Sequence, residues 1–139
     1  MNMTLQNLRN LVGPGKLKEE APNEREFDGL IRSAAARLRD AHNAALAPES
    51  RFDLAYNAAH SLALAALRKA GFRSDNRYLV FQCLPHTLGA GPEIWRVLDK
   101  CHQRRNLAEY EGVVDIEPAL LDALIEAADW LQRALDGMR

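Results

Sequence analysis

Residues 101–112 hold the side chains best suited to binding or acid–base chemistry in this chain. At 100° per residue along a helix, Arg105 falls on the apolar stripe that includes Leu98 and Cys101. A permanently charged guanidinium on such a stripe is costly unless it is paired and hydrogen-bonded, so Arg105 should have a buried acceptor or border a cleft or a partner. Glu109, four residues further on, lies on the same side and is the candidate for a bidentate pair.

The polar neighbours of Arg105 extend this candidate site. Asn106 is able to orient such a cluster or bond a ligand, and Tyr110 near the helix end offers a hydroxyl. The predicted binding cleft comprises His102, Arg104, Arg105, Asn106, Glu109 and Tyr110. Two interpretations stay open: a buried polar contact that fixes helix register, or a site that binds or cuts a ligand.

The sequence neighbours of the other histidines indicate where each one lies. His60 lies among Ala59 and Leu62, which predicts a core or cleft-lining imidazole, with a role at the Arg105 cleft as the sharper alternative. His42 and His86 are expected on the surface or in loops. The candidate catalytic residues are therefore Arg105, Tyr110 and His60.

No metal site or cofactor is predicted. The four histidines are scattered without close acidic partners, and Cys83 and Cys101 lie in apolar surroundings without ligand spacing, which favours buried reduced thiols. The run Gly13-Pro14-Gly15-Lys16 is too short, and too interrupted by proline, to cradle a phosphate.

Glycine and proline divide the rest of the chain into blocks of helical length. Periodicity predicts helices over residues 23–46, 49–71, 77–88, 92–110 and 117–136. The second is alanine-rich, is expected at the centre of a bundle, and stops at Gly71 after the basic pair Arg68 and Lys69. The block 77–88 also resembles a strand, although helix is favoured and Pro85 should kink or end it. The predicted fold is all-α, an antiparallel bundle of four to five helices over residues 21–139, preceded by a partly ordered segment over residues 1–20.

Composition narrows the class of protein. The chain has 139 residues, with 18 Lys and Arg against 19 Asp and Glu, a net charge of -1 that disfavours nucleic-acid binding by bulk charge. An apolar fraction of 47% is ordinary for a globular domain. No apolar run reaches the length of a membrane span or a signal peptide, so we expect a cytoplasmic protein without membrane contact.

Two stretches resemble a known family. The run Arg105-Asn106-x-x-Glu109-Tyr110 is similar to the helix motif of the HEPN superfamily (higher eukaryotes and prokaryotes nucleotide-binding domain), in which an Arg and a polar residue precede a His. Residues 51–60 resemble the alanine- and tyrosine-rich helix of the same superfamily, here closed by Gly71. The likeness covers about residues 25–136.

The resemblance implies a helical bundle that dimerises, with two motif helices forming a composite cleft. In active members the Arg and the His line that cleft and cleave RNA without metal. Here Glu109 and Tyr110 stand four and five positions after Arg105, and His102 precedes it by three. A carboxylate or a tyrosine of pKa near 10 is a poor substitute for imidazole near neutral pH.

We therefore expect a non-catalytic binding or regulatory module of toxin–antitoxin or defence type, related to nucleotide or RNA. The resemblance also implies a homodimer and a nucleotidyltransferase-like or antitoxin partner protein. One alternative is a metal-independent ribonuclease or toxin that uses Arg105 with Tyr110, or with His60 or His102 supplied across the interface. Another is a structural adaptor without a ligand, in which the pair of Arg105 and Glu109 only fixes packing.

Overall fold

The computed structural model of the chain describes residues 3–112 and 115–138. Its helices are α1 (Met3–Arg9), α2 (Glu24–Ala41), α3 (Pro48–Lys69), α4 (Arg77–Gln82), α5 (Leu84–Thr87), α6 (Pro92–Glu111) and α7 (Pro118–Asp136). Two short strands, β1 (Lys18–Glu19) and β2 (Phe72–Arg73), pair antiparallel. The predicted all-α class is confirmed, although the strand pair was not anticipated.

Local signals explain where most helices begin and end. Asn23 caps α2, since its side-chain oxygen accepts a hydrogen bond from the Glu26 amide at 3.0 Å. Proline stands in the first turn of α3, α6 and α7, where its missing N–H costs nothing. Gly112 ends α6 in the left-handed conformation at φ +76°.

Two helix boundaries differ from those that the sequence predicts. The predicted end of α2 at Leu46 is wrong, because the helix stops at Ala41. The Asn43 side chain accepts a hydrogen bond from the Ala45 amide at 3.0 Å, and this local turn replaces another helical turn. The block 77–88 is helical rather than extended, as favoured, but it breaks at Cys83 into α4 and α5.

Helix α3 lies at the centre of the bundle, as its alanine content predicted. It packs against α2, α4, α5, α6 and α7. Its buried residues cover most of its circumference: Phe52, Ala55, Tyr56, Ala58, Ala59, Leu62, Ala63, Ala65, Ala66, Leu67 and Arg68. Small side chains allow these neighbours to approach closely. No helix among the described residues is long and apolar enough to cross a membrane.

An ion-pair network around the buried side chain of Arg68, which we call the Arg68 network, ties the N-terminal segment to the bundle. Arg68 is only 1% exposed, and its Nε lies 2.6 Å from a Glu26 carboxylate oxygen. It also donates to the main-chain oxygens of Glu20 (2.9 Å), Ala21 (2.7 Å) and Phe72 (3.3 Å). The sequence indicates Arg68 only as a basic residue at a helix end, and its burial is not predictable from that pattern.

A second guanidinium completes the Arg68 network. Arg73 on β2 bonds the Glu20 carboxylate at 2.8 Å and also bonds Glu26. Hydrogen bonds from Arg73 lower the pKa of both carboxyl groups, and Arg68 adds to the effect. Both glutamates are therefore held as anions between the two guanidinium groups.

Candidate functional site

The candidate site is built around the buried ring of Tyr56 on α3. The Tyr56 hydroxyl lies 2.8 Å from Nδ1 of His102 on α6. The guanidinium carbon of Arg105 lies 4.9 Å from the ring centroid of Tyr56, and that of Arg77 lies 5.7 Å from it. We call the following residues the Tyr56 cluster: Tyr56, His60, Arg77, His102, Arg105 and Asn106.

Three helices bring these side chains together. His102, Arg105 and Asn106 share one face of α6, since residues three and four apart are neighbours on a helix. Tyr56 and His60 are related in the same way on α3. Arg77 is the first residue of α4 and donates to the side-chain oxygen of Asn57 at 3.0 Å. The cluster therefore forms only where α3, α4 and α6 meet.

A chain of hydrogen bonds runs through His102. Its Nε2 lies 3.1 Å from the amide nitrogen of Asn106, and its Nδ1 faces the Tyr56 hydroxyl. With the amide donating to Nε2, the neutral imidazole carries its proton on Nδ1 and donates it to the Tyr56 oxygen. The hydroxyl proton of Tyr56 is then available to a further acceptor.

Burial keeps both imidazoles of the cluster uncharged near neutral pH. It lowers the pKa of His60 to about 4, and Arg77, Arg105 and His102 act in the same direction. Burial also lowers the pKa of His102, although Asp99 opposes this effect. Burial raises the pKa of Tyr56. The positive charge of the cluster is therefore carried by its two guanidinium groups.

The two guanidinium groups of the cluster are only partly balanced by negative charge, and the carboxylate that pairs with Arg105 is exposed. Arg105 pairs with Glu109 at 3.1 Å, but the Glu109 side chain is 62% exposed. Arg77 is bonded to Asn57, whose amide is neutral and leaves the charge of Arg77 uncompensated by that contact. Such a surface favours an anionic ligand.

Only some of the predicted site residues lie in the Tyr56 cluster. Arg105 contacts Glu109 as expected, Nη1 to Oε1 at 3.1 Å, but this carboxylate is exposed and is not the buried acceptor that the sequence predicted. Arg104 turns away to Glu117, whose carboxylate lies 2.7 Å from it. Tyr110 is 92% exposed. Neither Arg104 nor Tyr110 joins the Tyr56 cluster.

Both histidines weighed for the cleft lie near Arg105 within a single chain. His102 precedes Arg105 by three residues, which places the two side chains on one helix face beside the Tyr56 ring. The half-buried His60 ring meets Phe81 edge-on at 6.0 Å between ring centroids. His60 is therefore packed beside the cluster, and its role at the Arg105 cleft stays a prediction.

Sequence reasoning missed two members of the site, Tyr56 and Arg77. Tyr56 lies one turn after Phe52 in an alanine-rich helix, and its position on the buried side of α3 was the available signal. Arg77 follows the cap residue Asn76, whose side chain accepts from the Leu79 amide at 3.0 Å. Nothing in that local pattern relates Arg77 to α6.

Comparison of the chain with family models, curated proteins and solved structures gives no match. The class of the protein is therefore defined by its own fold and by the Tyr56 cluster. It is an all-α protein with a half-buried cationic cluster between three helices.

The lowered pKa of His60 predicts a loss of stability in acid. In the unfolded chain the imidazole takes up a proton near its ordinary pKa of 6.5, whereas the folded chain resists protonation until about pH 4. Stability should therefore fall as the pH drops from about 6.5 to about 4. Urea unfolding at several pH values measures this slope.

The matched comparison for this prediction uses two histidines. His60→Asn removes the titrating group and should flatten the slope between pH 6.5 and 4.5 relative to the unsubstituted chain. His86→Asn, in α5, is the matched control for the same substitution at another histidine. Equal slopes in all three proteins would show that His60 is not the group responsible.

Proposed function

We propose that this protein is a HEPN-like helical bundle acting as a binding or regulatory module, and that its Tyr56 cluster holds the phosphate of a nucleotide or of RNA. One observation carries the proposal: Arg77 and Arg105 lie 5.7 and 4.9 Å from the same buried ring. Guanidinium groups match phosphate oxygens in a bidentate geometry, and they stay charged at every physiological pH.

The polar groups around the two arginines suit the same ligand. The fully buried Tyr56 hydroxyl holds His102 in place beside Arg105 through their 2.8 Å contact. The exposed Glu109 carboxylate occupies Arg105 from the solvent side, where a phosphate dianion can replace it. Uncharged imidazoles at His60 and His102 add donors and acceptors without adding charge.

Support for HEPN kinship comes from the positions of the motif residues. Arg105 and Asn106 face the cluster from α6, and the alanine-rich α3 lies behind it. Leu107 (44%) and Tyr110 (92%) are exposed on the same helix and offer apolar surface to a second copy. The homodimer, and the nucleotidyltransferase-like or antitoxin partner, are part of this proposal. A chain that sediments strictly as a monomer at high micromolar concentration would contradict the dimer.

A second candidate function, metal-independent RNA cleavage, is favoured by one feature. His102 and Arg105 flank Tyr56 in the same chain, so an acid–base group and a phosphate-binding group are adjacent without a dimer contact. Cleavage of a labelled RNA that is lost in both Arg105→Ala and His102→Asn would support this function. RNA that is bound and recovered intact supports the binding module.

The proposed function is tested by fluorescence anisotropy with a fluorescein-labelled single-stranded RNA, with ATP as competitor. A charge-assisted hydrogen bond contributes about 1.5–3 kcal/mol, so Arg77→Ala and Arg105→Ala should each weaken binding by about tenfold or more. Arg32→Ala, on the exposed side of α2, is the matched control and should bind like the unsubstituted chain. Absence of binding, or equal affinity in all four proteins, would overturn the proposal.

Replacing Glu109 should strengthen phosphate binding. Glu109→Gln removes the carboxylate that competes for Arg105, and we expect the affinity for the same RNA to rise several-fold. Stability should change by less than about 1 kcal/mol, because exposed ion pairs contribute little. Glu111→Gln, two residues further on and also exposed, controls for overall charge. Equal affinity in the two variants would contradict the competing role of Glu109.

A further inference from the structure

A small recess between α4 and α6 combines aromatic rings with a carboxylate. It is lined by Tyr78, Phe81, Gln82, Trp95 and Asp99. It has room for about one water-sized group. Tyr78 is 39% exposed, so the recess lies close to the surface. Its lining differs from that of the Tyr56 cluster, where the charges are guanidinium groups.

The carboxylate of Asp99 has one oxygen engaged and one unengaged. Its Oδ2 accepts a hydrogen bond from the side-chain amide of Gln103 at 3.2 Å. Its Oδ1 is buried and has no hydrogen-bond partner within residues 3–112 and 115–138. A buried acceptor without a donor is costly, and a negatively charged one more so. The recess therefore favours a group that is both a donor and a cation.

The rings beside Asp99 favour the same kind of group. Trp95 is the ring type that attracts a cation most strongly, and Tyr78 and Phe81 add two further rings to the lining. Arg96 lies 5.7 Å from the Trp95 ring centroid but does not line the recess.

We propose that this recess binds a primary alkylammonium group, with Asp99 Oδ1 accepting its N–H and with Tyr78, Phe81 and Trp95 around its charge. The recess has room for the –NH₃⁺ group alone, so the alkyl chain extends past Tyr78 toward the surface, and a bulky quaternary ammonium is disfavoured. A lysine side chain of a partner protein and a free polyamine both present this group. The site does not depend on phosphate binding at the Tyr56 cluster.

The recess is nevertheless coupled to His102, which supplies an independent readout. The Tyr78 and His102 ring centroids are 5.5 Å apart, and the charge of Asp99 raises the pKa of His102. An ammonium bound at Asp99 cancels that charge, so the pKa of His102 should fall when the recess is occupied. NMR titration of the His102 imidazole measures this change in the full, unsubstituted chain.

The direct test follows Trp95 fluorescence in a Trp130→Phe background, since these are the two tryptophans of the chain. The probes are n-butylammonium, spermidine and a lysine-containing peptide, and 1-butanol and the same peptide with acetyl-lysine are their uncharged counterparts. We expect saturable changes with the ammonium probes only. Asp99→Asn should weaken the response by about tenfold or more, because a charge-assisted hydrogen bond is lost.

Controls separate this site from its neighbours. Asp122→Asn, on the exposed side of α7, should respond like the background protein. Arg105→Ala should retain ammonium binding, so a failure of the phosphate proposal would not remove this one. The tighter of spermidine and the lysine peptide identifies the source of the ammonium group.

Two results would overturn the proposal. One is a fluorescence response to n-butylammonium that equals the response to 1-butanol or that survives Asp99→Asn; the recess would then hold only a water. The other is an unchanged pKa of His102 at saturating n-butylammonium. This second measurement uses the unsubstituted chain and stands even if Asp99→Asn fails to fold.

Discussion

Arg68→Met is expected to lower the free energy of unfolding by about 3 kcal/mol, because main-chain acceptors lose a buried donor while the partly exposed Glu20 and Glu26 keep Arg73 as a partner. The guanidinium is almost completely buried and bonds Glu26 together with three main-chain oxygens. Methionine fills much of the space but donates no hydrogen bond, so those oxygens lose their donor. Urea denaturation followed by far-ultraviolet circular dichroism measures the change.

The same substitution should act first on the N-terminal segment. Glu20 donates its main-chain N–H to the Gly71 oxygen at 2.9 Å, next to the β1–β2 pair that the Arg68 network supports. Hydrogen exchange at the Glu20 amide should therefore accelerate more than exchange in α7. Arg32→Met, an exposed control, should stay within about 0.5 kcal/mol of the unsubstituted chain. If Arg68→Met proves as stable as this control, the hydrogen bonds of Arg68 contribute nothing to the free energy of unfolding.

Tyr56→Ala is expected to cost about 3–5 kcal/mol and to abolish phosphate binding, because it removes a fully buried ring and leaves a cavity. The ring packs against Phe52 and Phe81, with centroid distances of 6.4 and 5.7 Å. It also carries the guanidinium of Arg105 on its face at 4.9 Å. Thermal or urea unfolding and the RNA titration measure the two effects.

Tyr56→Phe separates the ring from its hydroxyl. The packing remains, and the loss of the 2.8 Å bond to His102 should cost about 1–3 kcal/mol by leaving Nδ1 without its partner. RNA affinity should fall less than in Tyr56→Ala, because the ring still supports Arg105. Tyr110→Phe removes an exposed hydroxyl and should change neither quantity. Equal RNA binding by Tyr56→Ala and the unsubstituted chain would show that the ring does not position Arg105.

Helix positions were predictable because their signals are local. The caps at Asn23 and Gly112 and the proline at position 92 act within one turn of the residues they affect, so the sequence alone locates these ends. The wrong end at Leu46 came from extending an apolar period through the turn at Asn43, and the break at Cys83 comes two residues before the predicted kink at Pro85. The two-residue strands are too short to show a period, and only their pairing reveals them.

The candidate site was predictable only where it lies within one helix. The contact of Arg105 with Glu109 follows from their spacing of four residues, and the shared face of His102 and Asn106 follows for the same reason. Tyr56 and Arg77 reach that face from α3 and α4, and helical spacing says nothing about which helices meet.

The amino-acid sequence by itself determined helices α2, α3, α6 and α7 apart from the end of α2, and the pairing along α6, because each depends on residues a few positions apart. Tertiary structure decided the burial of Arg68 and the assembly of the Tyr56 cluster. Both depend on contacts between residues more than 20 positions apart, such as those of Arg68 with Glu26 and of Tyr56 with His102. Such contacts form only when the whole apolar core closes, and the free energy of that closure offsets the cost of burying their charged and polar groups.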